Sequence, residues 1–319
     1  MSRATRSRRV LSWVFSLACL AGLAPSVQAT PLPAAPQAKT VRANGLAFPT
    51  LAWGSPEGRP VLLLHGFPQD ARTWSYIAAG LAAEGFYVVS FDQRGYASTT
   101  RPADPTAYNF ELFVSDALAI ADVYRLGQFN VGGFGMGGAA AWLLAARHPD
   151  RVKSLVVLRF PHPAAFAAGI RSDSAQAASW AKLQAQIGGQ SADVRAAKLL
   201  EDNAAGLKTF LLQSGLPQAW VDRYVRRLQQ PGALVGALSW EQAISLDEFA
   251  AVPDIRIPTE YVWSAGPALT ASTAAATAAH VSARYRIEEL QGAGNFMIET
   301  SAERLLPIML NFYRETGNE

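Results

Sequence analysis

The feature that most constrains the fold is a regular alternation of short apolar runs with amphipathic segments of helical length. Predicted strands cover residues 61–64, 87–91, 129–132, 155–158, 261–263 and 284–290, and predicted helices cover 73–84, 112–125, 136–148, 272–280 and 303–313. Short continuous apolar runs are typical of strands buried in a parallel sheet. Because parallel strands need crossover helices, the alternation predicts an α/β fold: a doubly wound, mostly parallel sheet with helices on both faces.

Between residues 163 and 250 the alternation gives way to helical segments alone. Glycines and a Pro-Gly pair separate these segments at 188–189, 215 and 231–232. We therefore expect an α-helical cap at 163–250, inserted into a core domain formed by residues 40–162 and 251–319.

Residues 1–29 have the layout of a secretory signal peptide. Four arginines precede an apolar stretch at 10–23, and the segment ends on the small-residue site Val27-Gln28-Ala29. The apolar stretch is short for a membrane span. The mature chain is therefore expected to begin at Thr30, to have no stable membrane span, and to be periplasmic or secreted. Ser7-Arg8-Arg9-Val10-Leu11 partly resembles a twin-arginine signal, which leaves the export route open.

Without the predicted leader, the charge balance of the chain argues against nucleic acid as a partner. Its removal lowers the basic residues from 28 to 24 against 25 acidic residues, so the net charge changes from +3 to −1. That balance excludes a globally basic, phosphate-seeking surface, and nucleic acid is not expected as a partner. The only cysteine, Cys19, lies in the leader, where a lipoprotein cut before it is the alternative to cleavage after Ala29. Residues 30–39, rich in proline, are expected to form a short extended linker.

No cofactor or metal is expected. The four histidines show no helical or cysteine pairing, so they predict no metal site. The glycines near Gly135 follow neither a phosphate-loop nor a dinucleotide-binding fingerprint.

The turns between strands and helices carry a resemblance to a known family. A strand, the turn Gly133-Phe134-Gly135-Met136-Gly137 and a helix follow one another, as in a nucleophile elbow, where small residues permit a tight turn. Together with His65-Gly66-Phe67-Pro68, this turn resembles the α/β-hydrolase fold over about residues 40–315. The segments at 92–96, 161–166 and 231–240 look like those of epoxide hydrolases and their haloalkane dehalogenase relatives.

The resemblance implies four functional positions, and this chain carries an unexpected residue at each. The nucleophile position at the centre of the elbow is Gly135, and the base position is Asn295. The acid position after Trp263 corresponds most nearly to Gly266, in a segment that is one residue short, and the cap tyrosine is replaced by Glu241. Losing a triad lowers turnover by a factor on the order of 10⁶. Ordinary ester or epoxide hydrolysis is therefore expected to be nearly absent.

The resemblance also implies that a binding site survives without these side chains. In the family, backbone N–H groups corresponding to those of Phe67 and Met136 form an oxyanion-type pair beside the helix that follows the elbow. Such a pair binds a carbonyl or carboxylate without any nucleophile. Trp240, Glu241 and Asn295 are expected to complete the ligand contacts.

For each of three polar residues, the sequence allows two interpretations. Glu241 is either a general base with a pKa raised by burial or a solvated cap residue, and Asn295 either orients a ligand carbonyl or stabilises its loop. Arg159 ends a buried strand beside the expected pocket, where it either binds an anionic ligand or, as we favour here, forms a buried ion pair. A structural role is expected for His65, Asp92, Arg94 and His162, a helix-cap or surface position for His148, and a surface position for His280.

Three functions are consistent with these features. The first is an exported, non-hydrolytic pseudoenzyme that binds a small apolar or carbonyl-bearing ligand under its cap. The second is a hydrolase, lyase or cyclase of unusual mechanism that uses Glu241 or Asn295. The third is a protein-interaction module that has lost its pocket. The intact elbow and cap motifs favour the first two, and no oligomeric state is predicted.

Overall fold

The computed structural model describes residues 35–187, 189–266 and 268–317. Within them an eight-stranded sheet has the order β1-β2-β4-β3-β5-β6-β7-β8. The strands are Gln37–Ala43 (β1), Leu46–Trp53 (β2), Arg59–Leu64 (β3), Phe86–Phe91 (β4), Phe129–Phe134 (β5), Val152–Leu158 (β6), Thr259–Trp263 (β7) and Tyr285–Glu289 (β8). Neighbours from β4 through β8 pair in parallel, so the predicted doubly wound, mostly parallel sheet is confirmed.

The antiparallel hairpin of β1 and β2 was not predicted. Its turn is Asn44-Gly45, with φ of 48° and 74°, and Asn-Gly is the pair that a two-residue hairpin turn with positive φ favours. Because β1 begins at Gln37, the last three residues of the predicted linker belong to the sheet, and that part of the prediction is wrong. The predicted leader lies outside the described residues.

Helices cover both faces of the sheet. Among the described residues they are Ser75–Ala83 (α1), Phe110–Val123 (α2), Met136–Arg147 (α3), Pro163–Ser172 (α4), Ser174–Ile187 (α5), Ala192–Gln213 (α6), Gln218–Leu228 (α7), Ala233–Gln242 (α8), Leu246–Ala250 (α9), Ala271–Ala276 (α10) and Met297–Gly317 (α11). Helices α1 and α11 share one apolar cluster through Ile77 and Phe312, whereas α2 and α3 share another through Phe113 and Trp142. Burial on both faces explains why the central strands read as continuous apolar runs.

Helices α4 to α9 occupy the chain between Pro163 and Ala250, which separates β6 from β7. Helix α6 is interrupted where Glu201 is extended and residues 202–204 have φ between 49° and 62°. The cap helices and the core form a single compact unit. None of the helices in the described ranges is long and apolar enough to cross a membrane.

A buried ion pair ties helix α2 to the loop after β4. Arg94 donates two hydrogen bonds to Asp116, each 2.8 Å long, and the two side chains are 6% and 1% exposed. Asn44 of the hairpin turn donates a third bond to Asp116 at 2.9 Å. Arg94 therefore has the structural role that the sequence indicates.

Candidate ligand-binding site

The elbow lies between β5 and α3, at the carboxyl edge of the sheet. Gly135 has φ 55° and ψ −122°, a conformation that side chains disfavour, and its N–H donates to the Leu158 carbonyl at 3.1 Å. A β-carbon at Gly137 would lie 2.2 Å from the His65 carbonyl oxygen, so only glycine fits there. A β-carbon at Gly135 would instead meet no atom within 4 Å. The elbow tip therefore faces open space.

The loop after β3 packs directly against this elbow. A β-carbon added to Gly66 would lie 3.5 Å from the Met136 nitrogen, which places the predicted pair of Phe67 and Met136 on adjoining segments. Both side chains are half-buried, and the Phe67 ring lies 6.4 Å from that of Phe210 in cap helix α6. Because the first N–H groups of a helix have no intrahelical partner, the start of α3 offers donors at this point.

Gly266 and Asn295 lie next to each other, although they are far apart in sequence. A β-carbon at Gly266 would lie 3.8 Å from Asn295 Oδ1. The same oxygen accepts a hydrogen bond of 3.0 Å from Arg159 Nη2. Gly266 is exposed, and Asn295 and Arg159 are half-buried, so solvent reaches this group of residues.

The structure corrects the interpretation of Arg159. We favoured a buried ion pair from the sequence, but no carboxylate among the described residues contacts this guanidinium. Its neighbour Asn295 is neutral, so the positive charge has no compensating partner there. Burial lowers the pKa of Arg159, and the nearby Tyr261 opposes this effect.

Glu241, at the predicted cap-tyrosine position, is paired with a cap arginine. Arg195 Nη2 donates to Glu241 Oε2 at 2.6 Å, and the carboxylate side chain is 20% exposed. Burial raises the pKa of Glu241, and the Arg195 guanidinium opposes the rise. The pairing gives Glu241 a structural partner within the cap, which weakens the case for a general base.

The Trp240 side chain is buried and packs against the core. Its indole is 1% exposed, its Nε1 donates to the Arg94 carbonyl at 2.7 Å, and its ring stacks on Phe113 with centroids 3.6 Å apart. The predicted ligand contact of Trp240 is therefore replaced by a contact that holds cap helix α8 on the core.

Sequence reasoning missed the residues of α7 that join the cap to the core. Arg223 donates to Asp70 at 2.7 Å, and Arg227 pairs with both Asp70 and Asp92, the latter at 2.8 Å. Burial alone would raise the pKa of Asp70, but the two guanidinium groups outweigh it and lower that pKa. The arginines of α7 are the sequence signal that could have indicated this contact. Their acidic partners could not be identified, because Asp70 and Asp92 are distant in sequence.

A buried carboxylate, Glu299, lies where α7 meets helix α11. Its Oε1 accepts hydrogen bonds from Gln69 at 2.8 Å, Thr73 at 3.0 Å and Tyr224 at 2.7 Å. Its Oε2 is buried without a partner among the described residues. Burial raises the pKa of Glu299, and the three donors only partly oppose it.

This raised pKa predicts a pH dependence of stability. The folded state holds this proton more tightly than the unfolded state, so the contribution of Glu299 to stability is largest below the unfolded pKa of about 4.3. It then declines as the pH rises through the folded pKa. Glu299→Gln should remove part of this decline in urea unfolding between pH 4.5 and 8. Glu303→Gln, an exposed change on the same helix, should leave the slope as in the wild type. An equal slope in the Glu299 variant would contradict the prediction.

Three of the four histidines, His65, His162 and His280, are held by structural contacts. His65 is buried, with Nε2 accepting from the Gln93 N–H at 3.1 Å. The His162 ring stacks on His280 with centroids 4.6 Å apart, and burial lowers the pKa of His162 to about 3. No cluster of His, Cys, Asp and Glu side chains that could hold a metal is found in the described part of the chain.

Two surface cavities lie away from the elbow. One, of about 310 Å³, lies between the hairpin strands and Arg227, and the other, of about 610 Å³, is lined by residues of α2, α3 and α9. Neither is lined by Gly135, Gly266 or Asn295.

Known proteins that are similar to this chain belong to the fold that the strands, the elbow and the cap indicate. A family model described as the alpha/beta hydrolase fold matches residues 59–300. The chain belongs to the α/β-hydrolase fold family. Epoxide hydrolase 3 of Xenopus tropicalis is 26% identical over 281 residues, which cover 85% of this chain and 76% of that protein. The chain therefore lies on the epoxide hydrolase-like branch of the α/β-hydrolases.

Two further relatives extend this placement. The α/β-hydrolase superfamily protein YfhM of Bacillus subtilis is 28% identical over 228 residues, which cover 70% of this chain and 79% of YfhM. An epoxide hydrolase from Bacillus megaterium, solved with an inhibitor, superposes with a TM-score of 0.76 at 20% identity, covering 86% and 100% of the two chains. At that identity the superposition shows a shared fold. The assignment of Gly135, Gly266 and Asn295 to the nucleophile, acid and base positions of α/β-hydrolases stays a prediction.

The two glycines of this site should respond oppositely to the same substitution. Gly135→Ala places a side chain in a positive-φ conformation, which costs about 1–3 kcal/mol of folding free energy. The lower conformational entropy of the unfolded chain offsets about 0.4–1 kcal/mol of this cost. Gly266 does not have a positive φ, and its added β-carbon makes only an ordinary contact. We therefore expect Gly135→Ala to destabilise the protein and Gly266→Ala to be neutral or stabilising in chemical denaturation. A stabilised Gly135→Ala variant would show that the elbow is not strained as described.

Proposed function

We propose that this α/β-hydrolase-fold protein is exported and binds a small apolar or carbonyl-bearing ligand under its cap without hydrolysing it. The observation that carries the proposal is Gly135 at the elbow, whose missing side chain faces open space. Nucleophilic catalysis needs a side chain that attacks and a base that activates it. Gly135 has no side chain, and the amide of Asn295 cannot accept a proton from a nucleophile.

The surviving parts of the site support binding. The loop carrying Phe67 still packs on the start of α3, so the two backbone segments of the expected N–H pair adjoin each other. Phe67 and Met136 leave part of their apolar surface exposed, and Phe210 of the cap faces Phe67. Donors beside apolar surface are the usual composition of a small-molecule site.

The alternative of an unusual enzyme is less well supported. Its most attractive base, Glu241, contacts Arg195 at 2.6 Å and is thereby held in the cap. The interaction-module alternative has no specific contact in its favour.

A ligand screen with recovery of the ligand tests the proposal. The protein is heated with and without neutral aryl esters, aryl ketones and fatty acids, and each compound is then analysed by mass spectrometry. A binder present at 100 times its Kd should add about 2.7 kcal/mol of stability and be recovered unchanged. Asn295→Ala should reduce this stabilisation, whereas Gln291→Ala, an exposed amide of the same loop, should not. Absence of any stabilisation would favour the interaction module, and conversion of a ligand would favour the enzyme.

Export is tested separately. Fusing Met1–Lys39 to a reporter that is active only outside the cytoplasm should give signal. Mass spectrometry of the native protein should find Thr30 as its first residue. A retained leader would contradict the periplasmic or secreted location.

A further inference from the structure

Arg159 is a half-buried cation for which the described residues provide no carboxylate. The more deeply buried Arg94 and Arg195 are neutralised by Asp116 and Glu241, at 2.8 Å and 2.6 Å. Half-buried Arg101 also has no carboxylate partner in the described part of the chain, but it donates hydrogen bonds to three backbone carbonyls. Arg159 makes a single side-chain hydrogen bond among the described residues, at 3.0 Å to the neutral Asn295. Burying a charge without a counter-charge is costly, so such a group points to a missing anionic partner.

The backbone holds Arg159 in this place in spite of its conformation. Its φ is 75°, which non-glycine residues rarely adopt. Its N–H donates to the Val262 carbonyl at 2.7 Å, and its carbonyl accepts from the Tyr261 hydroxyl at 3.1 Å. Strain that the surroundings impose in this way is concentrated at functional sites.

The elbow, an exposed glycine and a further donor lie close to Arg159 and Asn295. Arg159 follows Leu158, whose carbonyl accepts from the Gly135 N–H, so the backbone leading into Arg159 adjoins the elbow. Gly266, whose added β-carbon would lie 3.8 Å from the same Asn295 oxygen, is exposed and lacks a side chain. Asn295 Oδ1 is occupied by Arg159, and its Nδ2 group has no acceptor among the described residues, so it remains as a second donor.

Apolar surface adjoins this polar group on the cap side. Phe160, the residue after Arg159, is half-buried and packs on Phe166 and Phe249 of the cap, with ring centroids 5.2 Å and 5.9 Å away. A ligand that fits here needs an anionic head and an apolar body.

We propose that Arg159 and Asn295 bind the carboxylate of a small monocarboxylic acid, whose apolar body extends towards the cap. A planar guanidinium matches the two oxygens of a carboxylate, and the Asn295 amide adds a donor. A single guanidinium compensates one negative charge, which favours a carboxylate over a doubly charged phosphate. This inference rests on the proposed function, because it names the ligand class of the same non-hydrolytic site.

Matched pairs of ligands test it. Decanoate is compared with decanamide, and phenylacetate with phenylacetamide, by isothermal titration calorimetry at constant ionic strength. The wild type should bind the carboxylates about 10- to 100-fold more tightly than the amides, the range typical of a hydrogen bond to a charged group. Arg159→Asn should abolish the preference, since asparagine tolerates positive φ without carrying a charge. Arg159→Lys should retain part of it. Arg171→Gln, which removes an exposed cap cation paired with Asp247, should retain all of it.

The outcomes separate this inference from the function on which it rests. Equal binding of acid and amide by the wild type would overturn the carboxylate site and leave non-hydrolytic binding intact. A preference that persists in a folded Arg159→Asn variant would also overturn it. Failure of every compound to bind would overturn both proposals, whereas conversion of a bound amide to its acid would overturn only the non-hydrolytic function.

Discussion

The purified protein is expected to hydrolyse p-nitrophenyl esters and styrene oxide no faster than buffer does. At the positions predicted for the triad, Gly135 would provide no nucleophile, Gly266 no acid and Asn295 no base. Loss of a complete triad lowers turnover on the order of 10⁶-fold, which leaves only the small acceleration that binding and N–H donors provide. The assay follows nitrophenolate absorbance and diol formation over hours. An epoxide hydrolase with an intact triad, measured in the same buffer, provides the positive control.

Single substitutions should not restore this activity. Gly135→Asp and Gly135→Ser each supply a nucleophile, but Asn295 still cannot act as a base. Turnover that survives repurification of the wild type would contradict the prediction and favour an unusual mechanism. Activity gained by Gly135→Asp alone would show that a different residue serves as the base.

The largest effect on stability is expected at the buried ion pair of helix α2. Asp116→Ala leaves the Arg94 guanidinium 6% exposed and without its counter-charge. Removing one partner of a buried pair costs about 3–5 kcal/mol. Urea unfolding should therefore show a large fall in the midpoint, and Asn44 also loses an acceptor, which adds to the effect.

Helix α2 provides a matched control for this substitution. Asp122 lies on the same helix and pairs with Arg151 at 2.6 Å, but its side chain is 63% exposed. Exposed pairs contribute little to stability, so Asp122→Ala should change the unfolding midpoint only slightly. Because both changes replace aspartate by alanine in one helix, helix propensity cancels in the comparison. Similar midpoints for the two variants would show that the Arg94–Asp116 pair does not stabilise the fold.

The sheet could be predicted where local pattern determines structure. Apolar runs such as Val61–Leu64 are buried on both faces in any parallel sheet, so their periodicity predicts them without knowledge of their neighbours. The hairpin of β1 and β2 also had a local signal, the Asn44-Gly45 turn, but the prolines before it favoured a linker. Mixed polarity along β1, which is exposed at the sheet edge, concealed the strand.

The site could be predicted only in part, because its contacts join distant segments. The elbow follows from local spacing, whereas the environment of Arg159 depends on Asn295, which lies 136 positions away. Sequence alone therefore favoured an ordinary ion pair for Arg159. Trp240 illustrates the same limit, since its stacking on Phe113 depends on how the cap lies on the core.

The ionic contacts of α7 have a consequence for the rate of ligand exchange. Arg223, Tyr224 and Arg227 attach this helix to Asp70, Asp92 and Glu299. If a ligand enters beneath the cap, displacing α7 must first separate these charges, so exchange should be slow and its rate should rise with ionic strength. The proposed non-hydrolytic function does not require rapid release of a product. A long residence time suits a carrier or a sensor, for which retention of the bound molecule is the useful property.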